Sequence, residues 1–158
     1  MRRAFSFLCI AALLFSSACF AQDSAEYKNM IDLMIKEIDS LKDSLRASAP
    51  EYGTYAKWYD NYSAMNEQFR KTFTQTHKQK RSFQLVWDAM NQLASARSML
   101  YRAQDADEQY TESITANDVS YAHKWKSTAL AEKTNAANAI AKAAEAMKQA
   151  QDSLSGEN

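Results

Sequence analysis

The chain has 158 residues, with 19 basic and 19 acidic side chains and 46% hydrophobic residues. That length suits one ordinary domain or an extended helical rod, and the balanced charge lacks the basic excess with which nucleic-acid-binding proteins neutralise phosphates. Two glycines and one proline are too few for the turns of a β-sandwich, a barrel or a nucleotide-binding α/β fold.

Arg2 and Arg3 precede an apolar stretch from Phe5 to Phe15, followed by small residues at Ser16, Ser17, Ala18, Cys19 and Ala21. This is the layout of a secretory signal peptide over residues 1–21, leaving a single helical domain at 22–158. The apolar run is too short, and too soon followed by Gln22-Asp23, to make a comfortable membrane span. No transmembrane span is therefore expected in the mature chain. A competing reading makes Cys19 a lipidation site. Ala18 supplies the small residue before it, but Ser16 stands where a lipoprotein signal usually has leucine, and bulky Phe20 follows. Both cysteines, Cys9 and Cys19, fall in this segment, so a mature chain starting at Gln22 has no disulfide framework. Loss of Arg2 and Arg3, with no acidic residue before Asp23, leaves it two charges acidic. A cysteine-free exported helical protein points to the periplasm or envelope of a bacterium, with a membrane-anchored lipoprotein as the alternative.

The first helix is expected at about 24–47. Asp23 and Glu26 form a capping box, and Tyr27, Ile31, Met34, Ile38, Leu41 and Leu45 recur in steps of four and three, a heptad seam. Pro50 ends it. From Thr54, Tyr55, Tyr59, Tyr62, Phe69 and Phe73 share a stripe, with Trp58 and Met65 beside it. The spacing runs on through Thr76 and Lys80 to Phe83, Trp87, Met90, Ala94, Tyr101 and Gln104. The polar stretch Thr74–Ser82 contains no glycine, proline, asparagine or aspartate. The pattern therefore favours one long helix over about 54–112. The other possibility is a loop here, with Ser82 as the next cap. Thr115 and Asp118 suggest a further cap, and the last helix follows over about 118–154, with a seam of Ala122, Trp125, Ala129, Ala136, Ile140, Ala143, Met147, Ala150 and Leu154. The fold expected is all-α: an elongated antiparallel helical hairpin or bundle with a long central helix, or a four-helix bundle broken near residues 78–82.

Chemistry-bearing patterns are sparse. His77 and His123 lack the Glu-x-x-His partners of bundle metal sites, because Thr74 and Ser120 stand three residues before them. Met30 and Met34 have the spacing of core fillers. Asp105, Asp107, Glu108 and Glu112 read as a solvated helix end with no glycine to shape a calcium loop. Arg70, Lys71, Lys78, Lys80 and Arg81 read as a solvated basic face. No nucleophile–base pair or phosphate-binding loop occurs, so no catalytic, cofactor or metal residues are expected. The outliers are the rings at Tyr55, Trp58, Tyr59 and Tyr62 and the alanine-rich last helix. Tyrosine and tryptophan are enriched at interfaces. With Tyr55 and Tyr59 facing the first helix, Trp58 lies to the side as the best partner contact. The expected function is a non-enzymatic structural or protein-interaction module of the bacterial envelope, binding a protein partner or itself through helical faces. The alternatives are a periplasmic chaperone-like client binder and a small-ligand or metal-binding bundle.

Overall fold

The computed structural model describes residues 25–45, 50–72 and 80–157. The signal segment with Cys19, the Asp23 cap and His77 lie outside the described residues. Every regular element among them is an α-helix: α1 (25–45), α2 (Tyr52–Thr72), α3 (Arg81–Thr115) and α4 (Val119–Gly156).

Paired contacts give the topology. Along α2, Tyr52, Asp60 and Arg70 meet Tyr101, Arg97 and Trp87, so positions rise on one helix as they fall on the other. In the same sense, Ser82 and Arg102 of α3 meet Glu157 and Glu132, while Asp32 and Asp39 of α1 meet Gln151 and Lys148. The result is an up-down-up-down four-helix bundle.

The long central helix expected from the spacing is two helices. Lys80 has φ −68° and ψ 147°, an extended backbone that separates α2 from α3. Helices in proteins are held mainly by burying an apolar face, and the run from Thr74 to Ser82 has none to bury. Continuing the aromatic spacing through it also misplaced the core of α3. Phe83 is half-buried, and Trp87, Ala94, Tyr101 and Gln104 are exposed. The buried stripe is instead Leu85, Val86, Ala89, Met90, Leu93, Ala96, Leu100, Ala103 and Ala106. Met90 alone belongs to both. A break in a helix resets its phase, so a stripe on one side does not determine the stripe on the other.

The outer helices follow their seams. Tyr27, Ile31, Met34, Ile38, Leu41 and Leu45 of α1 are all buried, as is Met30. On α4, Ala122, Ala129, Ala136, Ile140, Ala143, Met147, Ala150 and Leu154 are buried, with Trp125 half-buried. The turn between α3 and α4 is tight. Asn117 takes φ 58°, the left-handed region that asparagine tolerates. Asp118 then caps α4, its carboxylate accepting from the Tyr121 N–H at 3.1 Å.

Alanines dominate the α3–α4 contact. On α4 they are buried at 122, 129, 136, 143 and 150; on α3 they are buried at 89, 96 and 103, with Ser82 one heptad earlier. The Ser82–Glu157 contact sets a register that places Ala89 opposite Ala150, Ala96 opposite Ala143 and Ala103 opposite Ala136. Side chains this small allow the two helix backbones to approach closely.

Helix lengths divide the molecule in two. α3 and α4 have 35 and 38 residues, against 21 for α2. α2 begins level with Tyr101, where the Tyr52 ring meets it edge-on at 5.5 Å. Pro50 reaches past that level and lines grooves with Asp107, Lys133 and Leu130. Beyond these, among the described residues, α3 and α4 continue as a two-helix arm on the order of 10 Å long, at 1.5 Å per residue. In the four-helix base, α4 buries a broad face that includes Ala139 and Ala144; in the arm it buries only Ala122 and Ala129.

Leu93→Ala should therefore destabilise the fold by about 3 kcal/mol through the cavity it leaves. Ala94→Gln should stay within about 0.5 kcal/mol, as exposed substitutions do. Urea denaturation of both variants checks this, and a larger loss for Ala94→Gln would put the core on the aromatic stripe instead.

Candidate interaction site

The four rings singled out from the sequence form a ladder on α2. Tyr55 meets Trp58 in a tilted contact at a centroid distance of 5.7 Å and stacks with Tyr59 at 6.1 Å, and Trp58 stacks with Tyr62 at 4.8 Å. These are i, i+3 and i, i+4 neighbours on a helix. Tyr55 is 0% exposed, and its hydroxyl donates to the Leu93 carbonyl at 2.6 Å. Burial first, then the adjacent Tyr59, holds its phenol well above the ordinary tyrosine range, with Arg97 opposing. Tyr55 is thus a core residue, closed to any partner.

Tyr55 and Tyr59 both contact α3. The Arg97 guanidinium lies 5.2 Å over the Tyr59 ring while pairing with Asp60 at 2.7 Å. Tyr62 is the ring that senses α1: burial first, then Glu37, raises its pKa. Trp58, Tyr59 and Tyr62 are half-buried and packed against the core. The Trp58 Nε1 is buried with no hydrogen-bond partner among the described residues. Much of the surface these rings would offer a partner is occupied by each other and by α3.

The other polar patterns resolve into local pairs. Asp107 binds Lys133 at 2.7 Å, and Arg102 makes a two-pronged contact to Glu132 at 2.9 and 3.0 Å. Both pairs flank the alanine seam where the arm leaves the base. Glu108 accepts from Gln104, and Glu112 from Gln109. Arg70 and Lys71 both pair with Glu67. His123 is exposed. Among the described residues no three His, Cys, Asp or Glu side chains gather to hold a metal ion, and no helix is long and apolar enough to cross a membrane.

Most of the exposed large apolar side chains lie at or near the arm, and apart from Tyr101 residue patterns had drawn no attention to them. Tyr101, Ile114, Val119, Tyr121 and Leu130 are all exposed, Val119 by 71% and Leu130 by 67%. Near the tip, the Lys124 ammonium lies 5.6 Å from the Tyr121 ring centre and 5.1 Å from that of Trp125. One signal for them was present in the sequence. Between Ala122 and Ala136 the last helix offers one small buried position per heptad, and so narrow a seam leaves its other apolar residues outside. No family model, curated protein or solved structure matches this chain.

Tyr55→Phe should cost about 1 kcal/mol, the usual worth of one intramolecular hydrogen bond, because it removes the donor to Leu93 and keeps the ring. Tyr101→Phe on the exposed flank should change stability by less than about 0.5 kcal/mol. Thermal melts of the two variants measure the difference.

Proposed function

We propose that this chain is an exported, non-enzymatic helical interaction module of the bacterial envelope, with a four-helix base that carries the α3–α4 arm toward a protein partner. The observation supporting it is the placement of exposed apolar surface. Soluble proteins expose single apolar residues commonly, but here Ile114, Val119 and Tyr121 sit on a projection beyond the described residues of α1 and α2, and Leu130 stands exposed at its root beside Leu45 and Pro50. An alanine-seamed hairpin buries little apolar area per residue. A projection of that kind adds little to the stability of the base and offers reach instead. The bacterial address rests on the residue pattern of 1–21, with cleavage before Gln22 and lipidation at Cys19 as the other outcome.

The test places a photo-reactive amino acid at Tyr121 or Leu130 in cells, with Lys36 on the base as the control. Discrete adducts with one protein from the arm positions, absent from Lys36 and lost on Val119→Asp with the melting temperature unchanged, support the reading. Equal labelling from Lys36 overturns it. Intact mass of the exported protein should begin at Gln22. A fragment starting at an acylated Cys19 replaces the soluble form with an anchored one, and retention of residues 1–21 on a cytoplasmic protein removes the envelope assignment.

A further inference from the structure

Among the described residues, the pole opposite the arm is closed by the Glu157 carboxylate. α3 begins without help from its own sequence: its N-cap residue is Lys80, whose side chain makes no capping hydrogen bond, and its first turn contains no acidic residue. The first N–H groups of a helix have no partner within it. Glu157, the C-cap residue of α4, supplies one from across the bundle. Its Oε1 accepts from the Ser82 N–H at 2.8 Å and its Oε2 from the Ser82 hydroxyl at 2.6 Å. Ser153, one turn back on α4, donates to Oε1 at 2.9 Å. Lys80 Nζ donates to the Glu157 backbone carbonyl at 3.3 Å. Ser82 is 1% exposed and is the one buried polar residue among those described. It occupies the heptad position before Ala89, so the alanine seam ends in a hydrogen-bonded pair.

We propose that Glu157 is an acid-sensitive latch that caps α3 in trans and holds the ends of α3 and α4 together at this pole. Among the described residues the groups facing it are few. From the start of α3 come Ser82 and the cation Lys80; from α4, the neutral Ser153; from α1, Tyr27, whose phenol is raised first by burial and then by the charge of Glu157. Desolvation works against the carboxylate, but the Ser82 hydroxyl and amide, Ser153 and Lys80 outweigh it and hold its pKa below the ordinary value. The sign follows from linkage. A group with a depressed folded pKa contributes its full stability above the unfolded pKa and loses it as the pH falls through the folded value. Protonation leaves one oxygen a donor where two acceptors are needed. It also removes the negative charge that complements the positive N-terminal end of α3. The first turn of α3 and the last turn of α4 then part, while the arm at the other end keeps its own turn and cap.

The experiment is an acid titration of the full chain, followed by NMR at the Ser82 amide and the Glu157 carboxyl carbon, with amide exchange corrected for intrinsic rates. From about pH 7 to about pH 3, both signals should share one midpoint, and Ser82 protection should fall on the order of fivefold, the usual effect of losing a helix cap. Glu157→Gln should show the reduced Ser82 protection already at neutral pH and no further acid step there, with Leu93 and Leu100 amides still protected. Separate midpoints for Ser82 and Glu157 in the unmodified chain overturn the proposal without relying on any variant. An acid step that persists at Ser82 in Glu157→Gln overturns it as well.

Discussion

A methyl group at every seventh position sets the distance between α3 and α4. With Ala89, Ala96 and Ala103 facing Ala150, Ala143 and Ala136, the two backbones lie closer than leucine or isoleucine would permit. Close approach brings main-chain atoms of one helix into dispersion contact with the other. It brings the flanking residues into range too, and the Arg102–Glu132 and Asp107–Lys133 pairs beside the seam are its product. Exposed pairs of this kind contribute little each. Their value lies in orientation, since both cross between the helices at the root of the arm.

The alanine contact is narrow, and the rest of the base compensates for it. α1 brings Met30, Ile31, Met34 and Ile38 against α4, and α2 brings Tyr55 against Leu93. These large side chains supply the apolar burial that alanine cannot. The division of labour explains why the aromatic residues of α2 crowd into its first three turns. Only one layer of the base separates them from α3, and Tyr55 fills that layer with its ring while its hydroxyl finds a carbonyl. Trp58 and Tyr62 then close the side of the bundle nearest Glu37. Through Tyr55 and Tyr59 a short helix holds a long one.

Legibility in the sequence tracked how far each helix depends on its own period. α1 and α4 each have one uninterrupted seam, and every position read from α1's seam is buried. The α3–α4 turn was legible for a local reason, since Asp118 caps α4 through its own side chain. α3 was misread because its phase was inherited from α2 across a polar run that belongs to neither. Its true seam, from Val86 through Leu93 to Leu100, has the same heptad steps as the others and was masked by more conspicuous aromatics at Phe83, Trp87 and Tyr101. The cap of α3 lies 75 residues away in sequence, at Glu157, and no local pattern encodes it.

The arm has a modular length. Its helices meet through a repeat of seven residues, and its end is a self-contained turn in which Asn117 and Asp118 do the work. Inserting seven residues into α3 and seven into α4, each carrying one alanine in phase, would add about 10 Å of reach at 1.5 Å per residue. The turn, the seam and the base would be left as they are, whereas an insertion in one helix alone would throw every pair distal to it out of register. A lineage bearing this architecture can therefore change the span between its base and whatever the tip meets in discrete steps, by paired insertions, without redesigning either end.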